Sequence, residues 1–406
     1  MILYNIGIWL YKLGIAVAAM FNPVIKGMKC GEDEAIMLIR QRVKPGERWI
    51  WVHAASLGEF EQGRPLIERI KREKPEYKVL LTFFSPSGYN VRHKYDKADL
   101  VTYLPMDTPR NARRFVEALN PEKVYIVKYE FWLNYLGELR RRGIETYIIS
   151  AIFRPGQVFF KWYGGMFRRC LGTFRKLYVQ NEESAKLLSG IGIDNVEVTG
   201  DTRFDRVTDI ASAAKQLPKV AEFAQGHKTI VVGSSWLPDE QLLMPYINER
   251  CKEGVRMIIA PHHIEEERIR EIRGLLTCRS LLYTEVSENT VMDADVLIIN
   301  TMGMLSSIYQ YGQVAYIGGG FGVGIHNTLE AAVWKMPVVF GPNYHKFKEA
   351  CELIECGGAR SITDEASCRH AIDEFFASND AGEKAGKYVA EHIGATDRIY
   401  NETIKI

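Results

Sequence analysis

The stretch Val314-Ala-Tyr-Ile317-Gly318-Gly319-Gly320-Phe-Gly322-Val-Gly324-Ile-His326-Asn327-Thr-Leu-Glu330-Ala331-Ala332-Val333-Trp334 decides how this chain folds. Val314 to Ile317 is short, apolar and β-prone. Glycines follow at once, and then an alanine-rich apolar segment. The order predicts a buried strand, a glycine turn and a helix start. Glycines at such a turn let backbone N–H groups approach a ligand closely, and a helix N-terminus adds partial positive charge. A phosphate or a carboxylate is the natural guest. A dinucleotide site calls for Gly-x-Gly-x-x-Gly in the first βα unit, with an acidic residue about 20 residues on. A glycine turn this late in the chain points instead to a nucleotide-sugar site. A purely structural tight turn is the other reading.

Working outward, short β-type runs alternate with amphipathic stretches. Runs at 48–53, 78–84, 100–104, 123–127, 145–149, 176–179 and 196–199 form a first series. A polar, alanine-rich lapse with Pro218 interrupts it. The series resumes at 229–232, 255–260, 296–299, 314–317 and 337–340, each run leading into small or polar residues. Regular alternation predicts parallel sheets with helices on both faces, and ligands bind at the carboxyl ends of such strands. The fold class is α/β, with two Rossmann-like, doubly wound domains facing a central cleft. That is the GT-B architecture of many glycosyltransferases, shared by some epimerases and phosphorylases. The predicted boundaries are 1–28 for an apolar N-terminal helix, 29–208 for the first domain and 209–226 for a linker. They continue with 227–380 for the second domain and 381–406 for a C-terminal helix packing back toward the first.

At 406 residues the chain exceeds the usual single-domain range, and an apolar fraction of 47% is ordinary for a globular protein. The net charge of +2 gives no field that would argue for nucleic acid. Seven scattered cysteines without a C-x-x-C pair speak against a disulfide framework or a zinc site, and fit reduced thiols. Asp293-Ala-Asp295 precedes a strand rather than following one, so it reads as loop polarity; no metal is expected. Met1 to Phe21 is nearly all apolar, with Asn5 and Lys12 on one helical face. A lysine near mid-bilayer costs roughly 3 kcal/mol on insertion scales. A helix lying in the membrane interface, or a weak anchor, is therefore expected, with an ordinary buried first helix as the alternative.

Several motifs occur in an order that resembles the Kdo (3-deoxy-D-manno-oct-2-ulosonic acid) transferases of lipopolysaccharide assembly. They are His53-Ala-Ala-Ser56-Leu-Gly58-Glu59, Thr82 to Gly88, Tyr103-Leu-Pro105-Met-Asp107-Thr-Pro109, Glu130-Phe-Trp132-Leu-Asn134, Gln180-Asn-Glu182 and Gly200-Asp-Thr-Arg203-Phe204-Asp205. In the second half come Gly233-Ser234-Ser235, Pro261-His262-His263, Asn300-Thr-Met-Gly303 and Gly324-Ile-His326-Asn327-Thr-Leu-Glu330. The chain departs from the family pattern at Lys128, where an acid is usual, at Trp236 for histidine, at His262 for arginine and at Met304 for glutamate.

The resemblance implies an inverting transfer of Kdo from CMP-Kdo to a lipid A precursor, with no cofactor, at the cytoplasmic side of the inner membrane. It implies Glu59 as general base, because a carboxylate just past a strand end can accept the acceptor hydroxyl's proton. A first-turn acid stabilised by the helix dipole is the other reading of Glu59. Ser56, Gly58, Glu130, Arg154 and Arg203 fall on the acceptor and Kdo side. On the nucleotide side fall Gly233, Ser234, Ser235, Pro261, His262, Met302, Gly303, Gly319, Gly320, Gly324, His326, Asn327 and Glu330, with Gly322 completing the phosphate turn. Asn327 and Glu330 could equally cap their own helix. A GT-B transferase using a UDP-sugar, a sugar-nucleotide epimerase and a membrane-associated scaffold remain as alternatives.

Overall fold

The computed structural model describes residues 1–405. It divides the chain into two compact units, Met1–Arg206 joined by the tail from Ile393, and Val207–His392. The first unit holds a seven-stranded sheet built from β1 (Arg48–Ala54), β2 (Tyr77–Phe83), β3 (Leu100–Tyr103), β4 (Lys123–Val127), β5 (Glu145–Ala151), β6 (Lys176–Val179) and β7 (Val196–Val198). The order is β3-β2-β1-β4-β5-β6-β7 and every pairing is parallel. Sheets of this kind are covered on both faces, so their strands read as continuous apolar runs. In β1, Trp49 and Trp51 enter one core with Phe115 and Tyr135, while Ile50, Val52 and Ala54 enter another with Phe60 and Tyr125.

The second unit repeats the plan with β8 (Thr229–Ser235), β9 (Arg256–Pro261), β10 (Ser280–Leu282), β11 (Val296–Ile298), β12 (Val314–Ile317), β13 (Val338–Phe340) and β14 (Ala359–Ser361). Their order is β10-β11-β9-β8-β12-β13-β14, again all parallel. The alternation of the sequence thus yields the expected α/β class. The two outermost strands, β10 and β14, are additions to the expectation. Each is three residues long at a sheet edge, too short and too polar to leave a periodic signal.

Two segments differ from the expected division. The presumed linker 209–226 contains the helix Pro218–Ala224, held within the second unit by Leu217, whose N–H donates to Tyr311, and by Arg256, which donates to the Phe223 carbonyl. The single C-terminal helix expected over 381–406 is two helices, Asp380–Glu391 and Ala395–Thr403. Gly394, at φ +106, breaks them in a conformation that few other residues tolerate. The first of the two belongs to the second unit. The second packs on the first unit, where the Asp205 carboxylate caps it by accepting the N–H groups of Gly394 at 2.5 Å and Thr396 at 2.7 Å.

At the N-terminus, α1 (Ile2–Phe21) is long and apolar enough to cross a membrane by length and composition. It ends at Asn22, whose side chain caps α2 (Pro23–Arg42), so the boundary expected at residue 28 falls inside α2. One side of α1 is bound to the first unit. Tyr4 donates to Asp107 at 2.6 Å, and Asn5 accepts from Asn134 at 2.9 Å. Asp107, only 1% exposed, also accepts the N–H groups of Asn134 and Tyr135, each at 3.0 Å. The other side of α1 leaves Ile2, Leu3, Ile6, Trp9, Leu10, Leu13, Met20 and Phe21 exposed.

Burial raises the Asp107 carboxyl above its ordinary value against the pull of these donors. Removing a buried acceptor strands every donor aimed at it. Asp107→Ala should therefore cost about 2–4 kcal/mol, measured as the shift of the urea unfolding transition.

Candidate functional site

In an open parallel sheet, ligand crevices form beside the carboxyl ends of two strands whose connections run in opposite directions. The order of the first sheet reverses between β1 and β4. After β1 the chain turns through Ser56 and Gly58 into α3 (Leu57–Glu73), which brings Glu59 into the first helical turn. After β4 it turns through Lys128 and Tyr129 to Glu130. Lys128 takes up a left-handed backbone at φ +62, an uncommon conformation for a residue with a side chain.

Glu59 is 7% exposed, and its Oε2 accepts the Ala55 N–H at 2.6 Å. Its carboxyl is raised above the usual range, first by burial and then by the like charge of Glu130; the Ala55 N–H, His53 and Lys128 pull the other way. The first-turn reading of Glu59 is present in the geometry. One oxygen caps the helix entry, and the carboxylate still shares its crevice with a second acid.

The structure adds His53, which the residue reading left unassigned. Its ring is buried at the end of β1, with Nδ1 2.8 Å from Thr82 Oγ1 and Nε2 3.9 Å from Glu130 Oε2. Thr82 in turn accepts the Trp51 indole N–H at 2.8 Å. A histidine that follows Trp49 and Trp51 on one strand face, in register with a threonine on β2, was a legible signal. A polar residue on a buried face needs a partner. Tyr129 joins the group, its hydroxyl pushed up by burial and then by Glu59 and Glu130, with Arg154 opposing. Arg154 itself is exposed.

Arg203, which the resemblance puts on the acceptor and Kdo side, is paired with a neighbouring carboxylate. Its Nη2 lies 2.8 Å from Asp201 Oδ2, and its Nε donates to the same oxygen at 2.9 Å. Burial would raise the Asp201 carboxyl, but Arg203 and the Gln62 amide outweigh it and hold the group below its ordinary value. The guanidinium therefore serves a buried structural carboxylate.

In the second unit the reversal lies between β8 and β12. Gly318 meets the turn after β8 so closely that a Cβ there would lie 2.3 Å from the Ser234 carbonyl oxygen; one at Gly320 would lie 2.5 Å from the Gly341 nitrogen. Pro261 ends β9 beside this turn, while Met302 and Gly303 lie in the loop after β11. Met302 is exposed, and Gly303 has a positive φ.

The glycine turn largely satisfies itself. The Gly319 N–H donates to Asp239 at 2.9 Å, and those of Gly322 and Gly324 both reach the Gly319 carbonyl at 3.0 Å. Three amides expected to hold a phosphate are thus already engaged. The Ser235 hydroxyl is likewise committed, donating to the fully buried Glu240, which pairs with Arg268. Gly233 has no room for a side chain beside Tyr309. Ser234 differs: it sits partly exposed in a left-handed turn at φ +53. The helix expected after the turn is a single turn, Leu329–Ala332, because Lys335 leaves the helical region at φ +57 and Pro337 follows. A dipole from four residues is small, so this crevice relies on side chains more than the sequence suggested. Asn327 accepts the Leu329 N–H at 3.1 Å and donates to Glu330 at 3.0 Å, which is the capping alternative for that pair.

Above the turn stands an aromatic column. The Trp236 indole stacks on His262 with centroids 4.4 Å apart and donates to His326 Nε2 at 3.2 Å. That bond requires a neutral His326 with its proton on Nδ1. Burial lowers the pKa of both histidines, helped by His263 for His262 and by His262 for His326. Two of the departures from the family pattern, Trp236 and His262, are therefore in contact. Asp239, which sequence reading passed over, ties the crevice together. It accepts from the Trp236 N–H at 2.9 Å, the Tyr316 hydroxyl at 2.8 Å and the Gly319 N–H. An acid three residues past the N-cap position Trp236, after a proline, is a recognisable capping signal.

Two Rossmann-like units of this kind define the GT-B fold. Solved structures carry the same fold. UDP-GlcNAc 2-epimerase from Neisseria meningitidis aligns with a TM-score of 0.61 at 16% identity, over 88% of this chain and 100% of that one. The calicheamicin glycosyltransferase CalG4 aligns with a TM-score of 0.56 at 10% identity, over 89% and 100%. Residues 33–206 match the family model of 3-deoxy-D-manno-octulosonic-acid (Kdo) transferase. The 3-deoxy-D-manno-octulosonic acid transferase of Aquifex aeolicus is 28% identical over 316 residues, covering 76% of this chain and 80% of the relative. The chain is thus similar to the Kdo transferases over about three quarters of its length.

A carboxyl raised in part by a neighbouring carboxylate falls back when that charge is removed. Glu130→Gln should move the acid limb of kcat/KM to lower pH, and Lys128→Met should move it to higher pH. A pH–rate series on the two variants reads both shifts.

Proposed function

We propose that this enzyme moves Kdo from CMP-Kdo to a hydroxyl of a lipid A precursor, lipid IVA, with inversion at the anomeric carbon. The observation that supports it most is the buried Glu59, its proton affinity raised, at the switch point of the first sheet. The acceptor oxygen attacks the anomeric carbon as the bond from that carbon to the phosphate oxygen breaks. The electron pair leaves with CMP, and the hydroxyl proton passes to Glu59. With Oε2 held by the Ala55 N–H, the other oxygen is left to take that proton. A raised pKa makes Glu59 a stronger base. Ser56, Gly58, Glu130 and Arg154 line the acceptor and Kdo side, with Lys128 offsetting the two acids. Arg203 acts there only through the Asp201 turn.

On the nucleotide side, Ser234, His262 and His326 face the phosphate. Pro261, Met302 and Gly303 flank the base, and Asn327 with Glu330 reaches the ribose. Transfer proceeds without a metal or a cofactor, because the anionic leaving group meets imidazole and the Ser234 hydroxyl instead. The imidazoles are neutral in the free enzyme and gain a proton as the phosphate arrives. CMP binding should therefore tighten as pH falls from 7.5 to 6 (about a tenfold window for one proton), which calorimetry in buffers of different ionisation enthalpy detects as proton uptake.

The enzyme works at the cytoplasmic face of the inner membrane. There α1 lies in the plane of the interface, its Tyr4 and Asn5 side held by Asp107 and Asn134 and its apolar side in lipid. Trp162, 90% exposed, and Tyr163 project from a loop packed near the start of α1, beside Lys161, Arg168 and Arg169. They add interfacial aromatic anchors and cations suited to anionic headgroups.

The experiment is transfer from CMP-Kdo, generated in situ, to tetra-acylated lipid A precursor in the presence of EDTA, read by mass spectrometry. Wild type should gain at least one Kdo mass, and Glu59→Ala should lose at least about 100-fold in rate. No gain by a folded wild type, or transfer from a UDP-sugar in its place, would overturn the assignment.

A further inference from the structure

At the amino ends of strands in the second sheet, three ligand-type side chains meet. Cys251 begins the turn after the helix Leu237–Arg250, Cys278 lies two residues before β10, and Asp295 immediately precedes β11. Their Sγ, Sγ and carboxylate oxygen atoms all lie within 4.8 Å of one another. Both strands run parallel, so the group sits at their amino ends, opposite the end that carries the glycine turn.

We propose that Cys251, Cys278 and Asp295 form a zinc-binding site that fastens the edge strand β10 to the body of the second unit. The residue types suit the ion: two thiolates and a carboxylate are zinc donors, and bonds of about 2.0–2.3 Å need only a small contraction of the present spacing. A fourth position is left for water. The donors are held in place by their neighbours, as metal ligands usually are. The Arg279 N–H donates to Asp295 Oδ2 at 3.0 Å, fixing the carboxylate. Asn248 spans both cysteines: its backbone carbonyl accepts the Cys251 thiol at 3.5 Å, and its Oδ1 accepts the Cys278 thiol at 3.6 Å and the Thr277 N–H at 2.8 Å.

The local charges agree with this assignment. Two thiolates, Asp295 and Zn²⁺ leave one net negative charge. Arg256 lies close enough to interact with Asp295, and Arg279, paired with Asp293 at 3.3 Å, stands at the rim. Zinc binding displaces the protons and turns two hydrogen-bonded thiols into ligands.

The test uses the full chain, stripped with a chelator under reducing conditions and titrated with zinc chloride against a chromophoric competitor. One tight equivalent is expected, with a rise in the thermal midpoint. Cys278→Ser should weaken binding at least about 100-fold, and Asp295→Asn about tenfold or more. Cobalt(II) titrated into the wild type should give a thiolate-to-metal absorption band, which decides the matter even if a variant fails to fold. Absent binding, affinity unchanged in both variants, a cobalt spectrum without thiolate character, or a 251–278 disulfide in protein purified without oxidant would each overturn the site. Kdo transfer is not the readout, so the outcome is independent of the donor and acceptor proposed above.

Discussion

Glu59 and Glu130 are held in one crevice by the connectivity of a parallel sheet. β1 and β4 are neighbours, but the chain leaves them in opposite directions, and the residues that follow each strand converge where the strands end. Two carboxylates so close cannot both ionise without cost, and burial sharpens the conflict. Much of the surrounding detail answers that conflict. The Ala55 N–H steadies one carboxylate, and His53 reaches toward the other from a strand position where only Thr82 shares its polarity. Lys128 brings a cation into the group while its backbone holds an uncommon conformation. Uncommon backbone at a ligand crevice is where proteins tend to keep strain that serves function.

The second unit solves a different problem with the same topology. Its crevice must bring backbone to backbone, and it does so by removing side chains at Gly318 and Gly320 and by hanging three donors on Asp239. Close approach here serves the fold before it serves any ligand: the amides that look poised for a phosphate hold the turn in shape. The chemistry available to a guest therefore rests on Ser234 and on the column of Trp236, His262 and His326. The imidazoles in that column carry a charge that depends on pH.

The alternation of apolar runs and helical stretches gave away both sheets, and each long strand lies where the runs fall. The edge strands β10 and β14 left no trace, because Ser280–Leu282 and Ala359–Ser361 are only partly buried and lack the continuous apolar run of a central strand. The end of the chain was misread because a single glycine, Gly394, divides an otherwise continuous helical pattern. Of the site, Glu59 was legible from its place after a strand and a glycine. The engagement of Arg203 with Asp201 and of Ser235 with Glu240 was not, since sequence spacing does not say which polar groups face each other. The meeting of Cys251, Cys278 and Asp295 was hidden for the same reason: the sheet, not the sequence, makes them neighbours.

The order of the chain through its two units bears on how the protein is made. The first unit is finished by its last helix, Ala395–Thr403, whose Thr403 receives the Tyr125 hydroxyl at 2.6 Å and whose neighbour Glu402 binds Lys176 at 2.6 Å. Everything from Val207 to His392 is an insertion between that helix and the sheet it completes. On the ribosome, α1 and all seven strands of the first sheet emerge with Tyr125 and Asp205 still lacking their partners. The inserted unit has all of its residues first and can close while the earlier one waits. The N-terminal half is thus the first to be synthesised and the last to be complete.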